Sequence, residues 1–295
     1  MEFKNLSALA AVVEAGSFGL AAKNLHLTQS AVSQRIKDLE DQLGQILLIR
    51  NKPLLLTDAG TKVLVYYQKI AALEEDLKTD LNPDTVDGFK TIKLAINNDN
   101  LEYWFLTRMS DYIKKNNLLL DLYTKDEKLT AEYLKKGKVF ACISSEKSVG
   151  SNYQTTYLGK LTYRCVANKK YYKDFFTKGV SRKSISKAVF VLFNRDDYLS
   201  YNYLDKYFSI SSEDIIHKHF IPSSAVLEQA INAGLGFGLL PEISIQKKIK
   251  SGTLIDLASN KTLEQKYYLH SWYQMPRYLK DFNLEMIKLA KEVLT

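Results

Sequence analysis

The sequence predicts an α/β protein in three parts: a small helical unit with a short β-hairpin, one long helix, and two α/β lobes. Three observations predict this class. Apolar residues recur at helical spacing over residues 6–43, a heptad pattern follows over residues 63–77, and strand-like and helix-like segments alternate from residue 91 onward. A chain of 295 residues is long enough for two or three such domains.

The first two helices have clear boundaries. Apolar residues between Leu6 and Val13 form one buried stripe, and Gly16 stops the helix that carries them. Ser17 is placed to cap a second helix, over residues 18–25, because a serine side chain can accept a hydrogen bond from the first turn. We therefore expect two short helices joined by a tight turn.

A third helix, over residues 28–43, begins at Thr28 as its cap and ends at Gly44. Its core-facing stripe consists of Val32, Ile36, Leu39 and Leu43. The opposite face is polar and carries Gln29, Ser30, Ser33, Gln34 and Lys37. After the helix, residues 46–50 and 54–56 are strand-like and are separated by Asn-Lys-Pro, which predicts a small hairpin.

A long helix follows, capped by Thr57 and running from Asp58 to about Leu81, before Pro83. Its apolar positions alternate by three and four residues and are Val63, Tyr66, Ile70, Leu73 and Leu77. A seam of this length favours dimerisation through a coiled coil, although a stripe packed inside one chain gives the same spacing. The segment Asp-Thr-Val-Asp-Gly then indicates a hinge, so we assign residues 58–90 to a linker.

The remaining residues, 91–295, predict two lobes of strand–helix–strand units. Lobe I comprises residues 91–162 and 268–295, and lobe II comprises residues 163–267. The alternation of elements predicts a largely parallel sheet in each lobe. A ligand is expected in the crevice between the lobes, at the carboxyl ends of the strands.

The formal net charge of +8 does not by itself indicate nucleic-acid binding, because of where it lies. Residues 1–80 hold nine basic side chains against ten acidic ones, so the excess belongs to the lobes. No apolar run approaches the roughly 20 residues of a membrane span, and no signal-peptide pattern is present, so we expect a cytoplasmic protein without a membrane partner. Cys142 and Cys165 lie in apolar strands and are expected to be buried free thiols.

The segment from Phe18 to Lys37 is the most informative for function. A helix with one buried stripe and one face of short polar side chains suits the major groove of DNA, since such side chains reach base edges and phosphates. The same pattern also fits ordinary helix packing with a solvated face. Spacing alone leaves both interpretations open.

Residues 4–60 resemble the LysR-type transcriptional regulators through Gly-Ser-Phe at 16–18, the run AAKNLHLTQSAVSQRIKDLEDQLG, LLIR and LTDAG. This resemblance implies a winged helix-turn-helix over residues 1–57, a linker helix that dimerises, and a two-lobed effector domain like type 2 periplasmic binding proteins. It also implies that DNA is contacted by Thr28, Gln29, Ser30, Ser33, Gln34, Arg35, Lys37 and, on the wing, Arg50. Leu48 departs from the family pattern, in which Phe is frequent.

A narrower resemblance is to the arginine/lysine export regulators, the ArgP/LysG branch of that family. It is carried by AINNDNLEYWFL, KDEKLTAEYLKKGKVFACIS, LFNRDDYLSYNYL and the run from Ser223 to Leu257. It implies lysine or arginine as the effector, control of amino-acid export or metabolism genes, double-stranded DNA as partner, and a homodimer or homotetramer. Such a regulator can also contact RNA polymerase.

A basic amino acid requires anions for its cationic groups and donors for its carboxylate. Side chains at the predicted strand ends and helix starts supply both, and the candidates are Asn98, Asp99, Asn100, Ser144, Ser145, Arg195, Asp196, Asp197, Ser223 and Ser224. For each acid the alternative is an ordinary helix cap. Arg195 could bind a carboxylate or lie on the surface.

Other chemistry is poorly supported. Gly234, Gly236 and Gly238 do not match a dinucleotide-binding pattern, and His217 and His219 have no third ligand at metal spacing. No nucleophile, acid or base cluster indicates an enzyme, so we expect neither cofactor nor metal. A solute-binding protein would have similar lobes, but it would need an export signal where this chain has a helix-turn-helix.

Overall fold

The computed structural model describes residues 1–81, 88–124 and 130–294. The N-terminal unit consists of three helices and a two-stranded antiparallel hairpin. These elements are α1 (Phe3–Ala15), α2 (Phe18–Asn24), α3 (Gln29–Leu43), β1 (Leu48–Ile49) and β2 (Leu55–Leu56).

The predicted helix boundaries in this unit are confirmed by their caps. The Ser17 side chain accepts a hydrogen bond from the Leu20 N–H at 3.2 Å, and Thr28 accepts one from the Ala31 N–H at 3.1 Å. Gly16 and Gly44 end α1 and α3 in the left-handed region. The apolar stripes of the three helices meet in one core that excludes water, so the polar face of α3 is left outside.

The hairpin is fixed to both neighbouring helices. The Glu40 carboxylate accepts the N–H groups of Leu47 and Leu48, at 2.8 and 3.3 Å. Thr57 caps α4 (Asp58–Leu81) as predicted, since its Oγ1 accepts the Gly60 N–H at 3.0 Å. A Cβ at Gly60 would collide with the carbonyl oxygen of Leu47, so only glycine allows the helix to start this close to the hairpin.

The predicted seam of α4 divides into two parts. Val63 packs against the N-terminal core, as the alternative of a stripe inside one chain requires. Further along, Tyr66, Leu73 and Leu77 are 52%, 40% and 58% exposed. The predicted break at Pro83 and most of the hinge, residues 84–87, lie outside the described residues.

Nine strands of the described residues form one continuous sheet that crosses both lobes. They are β3 (Lys90–Ile96), β4 (Leu118–Thr124), β5 (Ala141–Ser144), β6 (Tyr153–Asn168), β7 (Phe190–Leu192), β8 (Lys218–Phe220), β9 (Phe237–Pro241), β10 (Leu254–Asp256) and β11 (Leu263–Trp272). Their order is β4-β3-β5-β11-β6-β9-β7-β8, and β10 pairs with β6.

The prediction of a largely parallel sheet is wrong at its centre. β3 is parallel to β4 and β5, and β7 is parallel to β8 and β9, as strand–helix–strand units require. The two long strands β6 and β11 run antiparallel to each other and to their neighbours β9 and β5. These two strands cross between the lobes. An alternating pattern of apolar and polar residues predicts a strand, but it does not show whether the strand runs parallel or antiparallel to its neighbours.

Helices cover the sheet and begin where strands end. One continuous helix follows β3 and consists of α5 (Asn98–Asn100), a π-helical turn (Leu101–Phe105) and α6 (Leu106–Lys115). The others are α7 (Thr130–Lys135), α8 (Lys169–Phe175), α9 (Arg182–Ile185), α10 (Tyr198–Phe208), α11 (Ser224–Asn232), α12 (Glu242–Lys250) and α13 (Arg277–Val293).

The two cysteines are confirmed as buried free thiols. Cys142 and Cys165 lie in the core that runs through both lobes, and burial raises the pKa of each thiol far above its ordinary value. Because the thiolate is the reactive form, neither side chain is placed for redox chemistry.

No single helix among the described residues has the length and apolar character needed to cross a membrane. Only α1 and α2 taken together reach that length and composition, and a bend of 119° separates them.

Candidate functional site

The residues predicted to contact DNA share one side of the N-terminal unit. On α3 and its cap, Thr28, Gln29, Ser30, Gln34 and Lys37 are exposed, and Ser33 and Arg35 are half-buried. The positions 30, 33, 34 and 37 follow helical spacing, so their side chains line one face. On the opposite stripe of α3, Val32, Ile36 and Leu39 are fully buried in the core, and Leu43 packs against it partly buried.

Contacts within this surface hold several of its side chains in place. The Gln34 amide donates to the Asp38 carboxylate at 2.7 Å, and the hydroxyls of Thr28 and Ser30 are 2.9 Å apart. Arg50 lies beside α3, with its guanidinium 3.6 Å from the Glu40 carboxylate and 5.5 Å from the centre of the Phe18 ring. The wing arginine is thereby kept next to the helix and half-exposed.

A cavity of about 540 Å³ opens between the two lobes. It lies at the carboxyl ends of β3, β7 and β9, where the sequence predicts a ligand. Its walls come from the start of the helix after β3, the segment between β7 and α10, the first turns of α11, and the middle of β6. The predicted residues that line it are Asn98, Asp99, Asp196, Asp197 and Ser224.

Asp99 is the central side chain of this cavity. The Tyr163 hydroxyl donates to one of its carboxylate oxygens, and the Ser224 hydroxyl donates to the other at 2.5 Å. Burial raises the pKa of Asp99, and the nearby Asp197 adds to the increase, while the two hydroxyl donors oppose it. Because Ser224 lies on α11 and Tyr163 on β6, one carboxylate joins lobe I, the crossing strand and lobe II.

A chain of buried hydrogen bonds supports Tyr163 from behind. Its hydroxyl is 3.1 Å from that of Tyr267, which accepts the Asn97 amide at 3.5 Å. The amide of Asn100 donates to Asn97 at 2.6 Å, and the Trp104 indole N–H donates to Asn100 at 2.6 Å. Asn100 is therefore a buried support of the cavity wall, and its predicted contact with the effector is not available from this position.

The two acids after β7 have different surroundings. Asp197 caps α10, because its carboxylate accepts the N–H groups of Phe193 and Ser200 at 3.1 and 3.0 Å and the Ser200 hydroxyl at 3.0 Å. Asp197 is therefore a helix cap, which was the alternative to effector binding, and its carboxylate also lines the cavity. Asp196 is exposed at the cavity wall, and the structure shows no cap made by its side chain.

Four other predicted residues lie outside the cavity. The Ser144 hydroxyl is buried and accepts the Glu146 N–H at 3.1 Å, and neither Ser144 nor Ser145 lines the cavity. Ser223 serves as the cap of α11. Arg195 lies on the surface over the Phe220 ring, at 4.8 Å, and lines a second hollow of about 390 Å³ with Lys218.

Several lining residues are absent from the sequence prediction. Asn97, Asn194 and Pro241 stand at strand ends and could have been found by position. Tyr163 could not, because it comes from the middle of a strand whose path between the lobes is not encoded locally. The remaining lining residues are Tyr103, Phe193, Tyr198, Leu199, Ser200, Leu227, Leu239 and Leu240.

The charge of the cavity is one-sided. Among the described residues that line it, the acidic side chains are Asp99, Asp196 and Asp197, and there is no lysine, arginine or histidine. Glu102 lies close by, with its carboxylate accepting the Ala225 N–H at 2.7 Å. Burial and the negative charge of Asp99 raise the pKa of Glu102 against its backbone hydrogen bonds. A cationic group is the natural occupant of such a cavity.

Comparison with known proteins identifies the family. Residues 3–61 match the family described as bacterial regulatory helix-turn-helix proteins of the lysR family. The HTH-type transcriptional regulator ArgP of Vibrio parahaemolyticus is 33% identical over 294 residues, which cover 100% of this chain and 98% of the relative. The chain belongs to the LysR family.

Solved structures place this LysR-family chain near the predicted branch. ArgP from Mycobacterium tuberculosis matches with a TM-score of 0.88 and 30% identity, over 97% of this chain and 96% of the other. LysG from Corynebacterium glutamicum with bound effector Arg matches with a TM-score of 0.83 and 25% identity, over 99% of both chains. The predicted fold class and family are confirmed. The full-length relatives are transcriptional regulators, so the enzyme and solute-binding alternatives fall away.

The two kinds of predicted DNA contact should differ in mutants. Ser33→Ala or Gln34→Ala should lower the preference for the chain's own upstream DNA over random duplex by about 1–3 kcal/mol, because base contacts carry specificity. Arg50→Ala should weaken binding to both duplexes alike and reduce its salt dependence, because a wing arginine that contacts the DNA backbone or the minor groove would add affinity through charge and little sequence preference. Binding isotherms at two salt concentrations measure both effects. Equal losses for the two duplexes in Ser33→Ala and Gln34→Ala would contradict the groove assignment.

Proposed function

We propose that this LysR-type regulator binds a basic amino acid, lysine or arginine, between its lobes and thereby controls amino-acid export or metabolism genes. The observation that carries the proposal is the cavity with three carboxylates and no cationic side chain among its described lining residues. The names of its relatives support it, since LysG has been solved with bound effector Arg.

The chemistry of lysine and arginine fits this cavity better than that of other amino acids. Each has two cationic groups and one carboxylate, so each brings a net positive charge to a site with three acids. Asp99 has both oxygens engaged by hydroxyl donors, which orient its carboxylate, and Asp196 remains accessible. The Asn98 amide and the Ser224 hydroxyl are neutral polar groups for the rest of the ligand. A volume of about 540 Å³ lies within the range of small-molecule sites.

The proposed effector contacts are therefore Asn98, Asp99, Asp196, Asp197 and Ser224. A LysR-type regulator with a different effector is the alternative. An acidic effector would meet three carboxyl groups in the cavity, and Arg195, the predicted binder of a carboxylate, lines the other hollow. The charge of the site thus favours a cation over an anion.

The exposed part of the α4 seam supports assembly. Tyr66, Leu73 and Leu77 are large apolar side chains at heptad spacing with much of their surface open. Pairing of two such helices would bury them and set two recognition helices on one duplex, as a homodimer or within a homotetramer. Reading DNA places the protein in the cytoplasm, where RNA polymerase is a further partner.

A thermal-shift screen of the twenty amino acids tests the effector class. Lysine or arginine at 100 times its dissociation constant should raise the free energy of unfolding by about 2.7 kcal/mol, because a ligand that binds only the folded state stabilises it. Neutral and acidic amino acids should give no shift at the same concentration. A shift with aspartate or glutamate, or none with either basic amino acid, would contradict the proposal.

Asp99→Asn should abolish the response to the effector and leave DNA binding intact. Loss of one partner of a buried charge pair costs about 2–5 kcal/mol, so lysine affinity should fall by roughly 30-fold or more. Calorimetric titration measures the affinity, and Asp111→Asn, an exposed acid on α6, is the matched control. Unchanged lysine affinity in Asp99→Asn would remove this residue from the site.

Effector affinity should also depend on pH. The pKa of Asp99 is raised by burial and by Asp197, so the group takes up a proton at higher pH than an ordinary aspartate. The protonated form is neutral and cannot form an ion pair with a cation, so affinity for lysine should fall as the pH is lowered, and the fall should begin at a higher pH than an ordinary aspartate would give. Titrations at several pH values check this. A flat profile would contradict the role of Asp99.

A further inference from the structure

The linker helix α4 is docked against lobe I of its own chain. Val65 and Gln68 lie over Gly137, where a Cβ would collide with both side chains. The ammonium group of Lys69 is 5.7 Å from the centre of the Trp272 ring, and its partial burial lowers the pKa of Lys69. This contact joins the helix that leads to the DNA-binding unit with the domain that holds the cavity.

Asp76 closes this contact at the start of α13. The Arg277 N–H donates to the Asp76 carboxylate at 2.8 Å, across 201 positions of sequence. Pro276 precedes the helix and offers no side-chain cap, so the linker helix supplies what the local sequence lacks. Burial raises the pKa of the neighbouring Tyr278, and the negative charges of Asp76 and Glu75 raise it further.

The same contact contains two mismatched polar groups. Gln68 Oε1 and Trp272 Nε1 are buried and have no hydrogen-bond partner among the described residues. A buried polar group without a partner destabilises the arrangement that buries it. One is an acceptor on α4 and the other is a donor on lobe I, so a different seating of the helix could satisfy both. The hydrogen bond from Arg277 to Asp76 thus stabilises the docked position of α4, and the unpartnered groups of Gln68 and Trp272 destabilise it.

Helix α13 also packs against the helix that carries Asp99. Phe282 on α13 is in edge contact with Phe105 and Tyr112, at 6.4 and 6.3 Å between ring centres. Both belong to the continuous helix that begins at Asn98. At the other end of the connection, Tyr67 on α4 is 5.2 Å from Phe3 in the N-terminal unit. Rigid, packed elements thus link the cavity to the DNA-binding helices.

We propose that the contact between α4 and lobe I, clipped by the Asp76 carboxylate on the Arg277 N–H, is a two-position joint that transmits the effector signal to the DNA-binding unit. It rests on the proposed function, since it needs an effector between the lobes. When the effector shifts the continuous helix that begins at Asn98, that helix moves α13 through the contacts of Phe282. Helix α13 then moves α4 through the hydrogen bond between Arg277 and Asp76. The unmatched Gln68 and Trp272 groups lower the cost of leaving the docked position.

The test compares DNA affinity with and without lysine or arginine in four proteins: wild type, Asp76→Ala, Asp76→Asn and Glu74→Ala. In wild type the effector should change DNA affinity by about fivefold or more. In Asp76→Ala the effector should change DNA affinity by only about twofold or less, although this variant should bind the effector as tightly as wild type does. Asp76→Asn should retain the response, because Asn caps a helix about as well as Asp. Glu74→Ala removes a surface ion pair with Lys78 and should behave as wild type.

The outcomes separate this inference from the proposed function. If wild type binds neither amino acid, the proposed function fails. If wild type responds and Asp76→Ala responds equally, the joint alone is refuted. Loss of the response in both Asp76 variants would also overturn it, because the cap would not be the cause. Should Asp76→Ala unfold, hydrogen exchange in wild type decides: the effector should change exchange at residues 277–280, and unchanged exchange would refute the joint.

Discussion

The hydrogen bonds that the Asp99 carboxylate accepts from Tyr163 and Ser224 are the interaction on which the arrangement of the cavity depends. Tyr163 on the crossing strand and Ser224 on the far lobe both donate to it, so three parts of the domain meet at one charge. A buried carboxylate is costly unless donors or cations compensate it, and here neutral hydroxyls do so only in part. The group that bridges the lobes at the cavity is therefore the one that would gain most from a cationic ligand, and we propose that this couples effector binding to lobe position.

The net charge of the chain does not indicate which ligands it binds, whereas the charge around each site does. The chain carries +8 overall, yet the helices that present the DNA-facing side chains are nearly neutral. The cavity lies in the basic part of the chain and is lined by acids. We propose that recognition at each site follows from a few placed side chains, such as Gln34 on α3 and Asp99 after β3. The excess of lysine says nothing about either ligand.

Features encoded by neighbouring residues could be predicted from the sequence. The caps Ser17, Thr28 and Thr57 and the strand ends that carry Asp99 and Asp196 depend on local spacing, and the structure shows them there. Features made by distant residues could not be predicted. The antiparallel β6 and β11, the burial of Asn100 behind the cavity, and the Asp76 cap on Arg277 arise only when segments far apart in sequence meet. Asp197 shows both roles, since it caps a helix and lines the cavity.

We propose that Asp99 pairs with a cationic group of the effector. Calorimetric titration of wild type and Asp99→Asn with lysine, norleucine and 6-aminohexanoate tests it most directly, because the last two each lack one of lysine's ammonium groups. Asp99→Asn should weaken the binding of lysine but leave the affinity for one of the two analogues nearly unchanged, namely the analogue without the paired ammonium group. An equal loss of affinity for all three ligands would contradict the pairing and leave Asp99 with a purely structural role.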